Sequence, residues 1–374
     1  MSAGVVIAGG GLSGQRCAEA LRQGGYGGAV TIVSNEAHPP YDRPPLSKAL
    51  LAGEKEQAEI SFRSADWYEE QGIELLLGDG AAGLDVERRK LLLESGAQVD
   101  YEHLVIATGS RARQLPGSEQ YDNIHSLRTL DDAIRLRDVL RPGKRLVVLG
   151  AGLIGQEVAA TAIGHGAEVT LVEAEPLPLA RALHPELAQW LVDLQREEGV
   201  EVKLGARVTE LIGDGDRLEA LHLDDGSCVE LDEMLVAIGV IPNSDWLPDE
   251  IGLLTSRPEI HAAGDVAGGD HWELAAHQGK AAAHEILGQE PAPVPFTGWW
   301  SDVHGVRLQG LGQPAANDKI MFEGSPDERD FHAVVSRDGV PVAALAVGRP
   351  REIPRLRKLL AEHSSTPSDR KSVV

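Results

Sequence analysis

Val5-Val6-Ile7-Ala8-Gly9-Gly10-Gly11-Leu12-Ser13-Gly14 stands near the head of the chain, and Arg145-Leu146-Val147-Val148-Leu149-Gly150-Ala151-Gly152-Leu153-Ile154-Gly155 repeats its pattern 140 residues later. In each, a short apolar run enters GxGxxG and is followed by a helical stretch. A second strand then closes each unit, Val30-Thr31-Ile32-Val33 in the first and Glu168-Val169-Thr170-Leu171-Val172-Glu173 in the second. Strand, glycine turn, helix and strand in this order make the dinucleotide-binding unit. Gly9 and Gly150 allow the tight turn, and Gly11 and Gly152 let a pyrophosphate reach the backbone. Gly14 and Gly155 let helix and strand pack closely, while the helix N-terminus offers unpaired N–H groups to phosphate. One glycine fingerprint is weak evidence, but two in the same context predict two bound dinucleotides. The fold expected is α/β, with two doubly wound Rossmann-like dinucleotide-binding domains.

The ends of the second strands bear on which dinucleotides these are. Glu173 lies eighteen residues after Gly155, where a carboxylate accepts from a ribose diol and repels a 2′-phosphate. No arginine follows in Ala174-Glu175-Pro176, which favours NADH over NADPH; the alternative is an exposed strand-end glutamate. In the first unit the strand ends Ser34-Asn35-Glu36, and either Asn35 or Glu36 can reach a ribose.

Composition narrows the class. The chain has 374 residues, 42% apolar and 25% charged, enough for two or three domains with a sizeable core. Its formal net charge of −23 sets it against nucleic acid and anionic lipid. No apolar run is long enough to span a membrane, and the first one leads straight into a glycine turn, so neither a signal peptide nor a span is expected. The dense basic run Arg349, Arg351, Arg355, Arg357 and Lys358 reads as a solvated helix face or a docking patch. Two isolated cysteines, Cys17 and Cys228, suit a reducing cytoplasm and provide no redox disulfide. The thirteen histidines show no metal-ligand spacing.

Two further segments complete the pattern. Leu104-Val105-Ile106-Ala107-Thr108-Gly109 is a buried strand where the chain leaves its first domain. Ile260-His261-Ala262-Ala263-Gly264-Asp265-Val266-Ala267 is another strand, ending in Gly-Asp at a helix start, where Asp265 is either a helix N-cap or a cofactor ligand. The most distinctive stretch is His38-Pro39-Pro40-Tyr41-Asp42-Arg43-Pro44-Pro45-Leu46-Ser47-Lys48. With Leu127-Arg128-Thr129-Leu130-Asp131-Asp132-Ala133, Gly239-Val240-Ile241-Pro242-Asn243 and Trp299-Trp300-Ser301-Asp302-Val303-His304-Gly305-Val306-Arg307-Leu308-Gln309, it resembles the FAD-dependent, NADH-linked ferredoxin reductases that feed bacterial oxygenases. The resemblance covers nearly the whole chain.

That resemblance implies a flavoprotein that takes a hydride from NADH onto FAD and passes single electrons to an iron–sulfur carrier. The carrier would be a Rieske-type or other 2Fe–2S ferredoxin, or a rubredoxin, serving an oxygenase or cytochrome P450. It places FAD on Gly9, Gly11, Ser13, Gly14, Asn35, Glu36, Arg43, Lys48, Ala81, Thr108, Gly109, Arg128, Asp265 and Trp272. NAD falls on Gly150, Gly152, Leu153, Ile154, Gly155, Glu173 and Gly239. Lys48 and Glu157 are expected to pair across the domain interface and orient nicotinamide and flavin; otherwise both are surface residues. Trp300 either faces a docked partner near the flavin edge, or merely packs or makes a dimer contact.

The division implied is an FAD domain of residues 1–111 and 244–294, an NAD domain of 112–243, and a small α+β C-terminal domain of 295–374. Its tail, Ser364 to Arg370, reads as disordered. The molecule would be a monomer or homodimer. An alternative from another class is a redox sensor similar to apoptosis-inducing factor, whose reduced state controls association. Three departures from the family pattern stand out. A hairpin is largely missing between Asn243 and Ile260, the loop Gly268-Gly269-Asp270-His271 is short, and the C-terminal helical region stops early.

Overall fold

The computed structural model describes residues 3–269, 271–294 and 296–363. The expected tail, and Asp270 of the shortened loop, lie outside the described residues.

The first unit begins with β1 (Val5–Ala8), α1 (Leu12–Gln23) and β2 (Val30–Ser34). A 3-10 turn at Pro44–Ser47 and the short helices α2 (Gln57–Ile60) and α3 (Ala65–Glu70) lead to β3 (Ile73–Leu77). A small antiparallel sheet follows, β4 (Ala81–Asp85), β5 (Lys90–Leu93) and β6 (Gln98–Asp100). Then β7 (His103–Ile106) returns beside β1, and β8 (Ser110–Ala112) leaves the unit.

The second unit comprises β9 (Ile124–His125), α4 (Leu130–Val139), β10 (Arg145–Leu149), α5 (Leu153–Gly164), β11 (Glu168–Glu173), α6 (Pro185–Glu197) and β12 (Glu201–Leu204). An antiparallel sheet of β13 (Val208–Asp214), β14 (Arg217–Leu223) and β15 (Cys228–Glu230) precedes β16 (Glu233–Val236). On the way back β17 (Val240–Pro242) pairs antiparallel with β8, so both crossings run as one ribbon. The first unit is then completed by α7 (Ile251–Leu254), β18 (Ile260–Ala262) and α8 (Trp272–Ile286).

Two parallel five-stranded sheets result, ordered β18–β7–β1–β2–β3 and β12–β11–β10–β16–β9. Their central strands are buried on both faces, which is why they read as continuous apolar runs. Val5 and Ile7 pack with Leu21 and Ala282, while Val6 and Ala8 face Leu91 and Tyr101. Between Asn243 and Ile260, Ile251 and Leu254 of α7 join Trp246 and Leu247 against Leu84 and Val99.

The last sheet is antiparallel, ordered β19–β20–β23–β22–β21 from Gly298–Val303 (β19), Val306–Gly312 (β20), Lys319–Ser325 (β21), Asp330–Arg337 (β22) and Val340–Val347 (β23). One face lies on α6, with Phe331 and Leu345 against Leu187 and Leu191. The other carries α9 (Ile353–His363) through Leu356 and Leu360. In the basic run Arg349 pairs with Asp330, Arg355 with Glu352 and Arg357 with Glu273, while Lys358 lies 3.8 Å from Glu362. Carboxylates thus neutralise most of that run.

Candidate active site

The two glycine turns are built alike. Gly9 has φ +131°, and a Cβ there would stand 2.0 Å from the carbonyl oxygen of Ala107, just past the end of the neighbouring β7. Gly150 has φ +101° with a Cβ position 2.5 Å from the Ala237 oxygen. Third in each turn, Gly14 and Gly155 press on the carbonyl oxygens of Gly9 and Gly150, at 2.1 and 2.0 Å from a would-be Cβ. Only the middle glycines, Gly11 and Gly152, have no atom within 4 Å of that position. They cap α1 and α5, neither of which has a side-chain cap or an acidic residue in its first turn. Open space beside an uncapped helix N-terminus fits a phosphate.

A cavity of about 1120 Å³ runs along the first turn and on to the second unit. Gly9, Gly11, Ser13, Asn35, Glu36, Arg43, Lys48, Ala81, Thr108, Gly109, Arg128, Asp265, Trp272 and Trp300 all line it, together with Leu153, Ile154 and Glu157 of α5. Gly14, Gly150, Gly152, Gly155, Glu173 and Gly239 do not. The third glycines are covered by their own turns, while Glu173 is the last residue of β11, with its Oε2 accepting from the Ala151 N–H at 2.7 Å.

The helix N-termini at the cavity are held by side chains the sequence separates widely. Ser13 Oγ donates to the Ala275 carbonyl at 3.0 Å, tying α1 to α8. Gly279 permits this approach, because a Cβ there would sit 2.2 Å from the Ser13 carbonyl oxygen. Trp272, at the start of α8, donates its indole N–H to Asp42 at 2.8 Å, and its ring meets the edge of Trp300 with centroids 5.8 Å apart.

Asp265 is no helix N-cap. It opens a 3-10 turn, and its Oδ2 accepts from Arg128 Nη2 and Ser110 Oγ, both at 2.6 Å. Burial, with the Arg43 charge nearby, lowers the Arg128 guanidinium from its ordinary value. Glu36 accepts from Arg43 at 2.6 Å and from the Tyr41 phenol, whose oxygen also accepts the Leu130 N–H at 2.9 Å. Both Glu36 oxygens are thus engaged, and burial pushes the Tyr41 phenol well above its usual range. Thr108 and Asn243 cross-link the ribbon between the units, at 2.6 and 3.0 Å.

Lys48 and Glu157 meet. Tyr41, Leu46, Leu50 and Leu51 pack with Val158, Ala159 and Ala162 of α5, which brings the proline-rich segment onto the second unit. Lys48 Nζ then lies 2.7 Å from Glu157 Oε2, and the Glu157 side chain is 4% exposed. A carboxylate this buried needs further donors. Ser47 Oγ donates to Oε2, and Ser301 Oγ of β19 donates to Oε1 at 2.6 Å. Ser47 could have been suspected beside Lys48, but nothing in the sequence points to Ser301.

Neither thiol is placed for redox work. Cys17 is buried in α1, its thiol pushed up to about 12 by desolvation, and Cys228 is free on β15. Among the described residues, no cluster of His, Cys, Asp and Glu could hold a metal ion.

The pyridine nucleotide-disulphide oxidoreductase family matches residues 3–279, and a reductase C-terminal family matches 299–372. The ferredoxin–NAD(+) reductase subunit of the Pseudomonas putida benzene 1,2-dioxygenase system is 36% identical over 380 residues, 95% of this chain and 92% of that one. Putidaredoxin reductase of Pseudomonas putida is 33% identical, covering 96% and 92%. Among solved structures, the ferredoxin reductase of the CYP199A2 system from Rhodopseudomonas palustris superposes with TM-score 0.89 at 35% identity, over 98% of this chain and 96% of that one. The covalent putidaredoxin reductase–putidaredoxin complex gives TM-score 0.89 at 31% identity, over 97% and 94%.

Proposed function

Because the chain belongs to the pyridine nucleotide-disulphide oxidoreductase family, we propose that it is the reductase at the head of a short electron-transfer chain. It is an FAD-dependent oxidoreductase that oxidises NADH and delivers electrons to an iron–sulfur ferredoxin, which serves an oxygenase or a cytochrome P450. Bound FAD supplies the redox chemistry, taking up two electrons with a hydride and releasing them singly.

The residues present fit both dinucleotides. Gly11 and the α1 N-terminus would receive the FAD pyrophosphate, with Asn35 or Glu36, both on the cavity, towards the ribose. Arg128, fixed by Asp265, supplies a cation to the same cavity. The start of α8 lies at the cavity and would offer its dipole to negative charge on the isoalloxazine, while the Glu273 charge there is matched by Arg357 at 2.9 Å. Gly152 and the α5 N-terminus would take the NADH pyrophosphate, and Glu173 the ribose diol. Glu157 and Lys48, paired at the junction of the two units, would orient nicotinamide against flavin. Trp300 then lies at the flavin end of the cavity, where a partner docks.

We assign residues 1–111 with 244–294 to FAD, 112–243 to NAD and 295–374 to the C-terminal domain. Among the described residues no helix is long and apolar enough to cross a membrane, and the two unpaired thiols support a cytoplasmic site of action.

The observation that carries this reading is the buried Lys48–Glu157 pair at the junction of two glycine-turn units. Its test is to load the purified protein with FAD, remove oxygen and add one equivalent of NADH. The visible flavin band should bleach within the mixing experiment; a protein that takes up no FAD, or whose flavin stays oxidised, refutes it.

A further inference from the structure

The hairpin between β19 and β20 reaches out of the C-terminal sheet and fastens α5 at two consecutive residues. Ser301 is the first link, donating to Glu157 Oε1 at 2.6 Å. The second starts at the tip, where His304 and Gly305, with φ +49° and +74°, form the two-residue turn. The His304 ring lies 2.8 Å from Gln195 Oε1 on α6. The Gln195 amide, fully buried, donates to Gln156 Oε1 at 2.7 Å and to the Gln156 carbonyl at 3.1 Å. Gln156 in turn donates to the Ala151 carbonyl at 3.2 Å.

Donor and acceptor roles fix the order. Gln195 Oε1 must accept, so the histidine nitrogen facing it carries the proton. The chain then runs from His304 through Gln195 and Gln156 to Ala151, the middle residue of the second glycine turn. Ala151 donates its N–H to Glu173, so its peptides are held from both sides. Gln156, Glu157, Gln195 and Ser301 are 1%, 4%, 0% and 2% exposed, and a broken link leaves a buried polar group without water to replace it.

We propose that Ser301 and His304 are positioning residues for hydride transfer: the C-terminal hairpin sets the place of α5, and through it the Glu157 carboxylate and the Ala151 turn. The inference rests on the reading of α5 as the NADH-binding helix. Its consequence is coupling. Because the same hairpin carries Trp299 and Trp300, with Trp300 on the cavity, a partner that shifts it is felt at the nicotinamide turn.

The test uses FAD-loaded full-length protein and the variants Ser301→Ala and His304→Gly. Glycine suits the positive φ of the turn, so His304→Gly deletes the ring without weakening the hairpin. Three quantities are read: NAD+ affinity by calorimetry, amide hydrogen exchange over residues 150–157, and the rate constant of flavin reduction at saturating NADH. His304→Gly is expected to raise the NAD+ Kd about 5-fold and to speed exchange at the turn, the size of a lost buried hydrogen bond. Ser301→Ala is expected to slow flavin reduction about 10-fold with NAD+ affinity unchanged. Variants that melt earlier yet match wild type in all three readouts overturn the proposal, leaving the links as packing alone. Wild-type protein that binds no NAD+ overturns instead the assignment of α5.

Discussion

Replacing Gly11 by valine should remove FAD and leave the fold intact, whereas alanine at Gly9 should damage the fold itself. At Gly11 φ is −81° and ψ −170°, an extended conformation open to any residue, and a Cβ meets no atom within 4 Å. The apoprotein should therefore keep its stability to within about 0.5 kcal/mol, the usual range for an unhindered site. The added side chain points into the space where phosphate must approach the α1 N-terminus. Losing two charge-assisted N–H contacts at roughly 1.5–3 kcal/mol each lowers FAD affinity by about 10²- to 10⁴-fold. Gly9→Ala instead drives a methyl to 2.0 Å from the Ala107 oxygen and places an L-residue at φ +131°. That demands movement of β7 and should cost more than about 4 kcal/mol. The assay is urea unfolding of the two apoproteins beside apo wild type, with calorimetric titration of FAD. Apo forms must be compared, because bound FAD itself stabilises. Gly11→Val protein that retains FAD at wild-type affinity, or whose apo form unfolds at markedly lower urea, refutes the reasoning.

Other substitutions separate the remaining roles. Lys48→Gln should slow flavin reduction by NADH about 10- to 100-fold in stopped-flow mixing, by misplacing the reacting rings, while FAD content is kept. Glu173→Ala should cut the preference for NADH over NADPH by roughly 10²-fold in kcat/KM, since it removes both the ribose acceptor and the charge facing a 2′-phosphate. Burial holds His103, His277 and His304 below the ordinary histidine range. Protons then bind the unfolded chain first, so stability is full above about pH 6.5 and is lost as pH falls through the lowered native values. The urea midpoint should drop between pH 7.5 and 5.5, and His103→Gln should make that drop shallower.

The sheets and their glycine turns were legible because a buried parallel strand ending in GxGxxG leaves a local mark. Lys48 and Glu157 were found through a resemblance, and the physical reason for their meeting appears only in three dimensions, where Tyr41 and Leu46 pack onto α5. Asp265 shows the limit of local reading. Its position before a helix left a cap open beside the cofactor reading, and only the structure shows its carboxylate serving Arg128, distant in sequence. Ser301 and His304 stood in a stretch that carried the resemblance, but their roles, like that of Gln195, left no signal. Periodicity reports which face of a strand or helix is buried, and not which polar group will meet it from another sheet. Likewise the basic run near the C-terminus looked dense in sequence, but two of its four carboxylate partners, Asp330 and Glu273, come from elsewhere in the chain.

The central claim is tested most directly by coupled turnover. FAD-loaded protein is mixed with excess NADH and a panel of oxidised 2Fe–2S ferredoxins, and the bleaching of each ferredoxin is followed together with NADH loss. The account predicts that at least one ferredoxin is reduced catalytically, with two equivalents reduced per NADH consumed. It is contradicted if NADH yields only a long-lived reduced flavin that turns over with no ferredoxin and instead changes the oligomeric state of the protein.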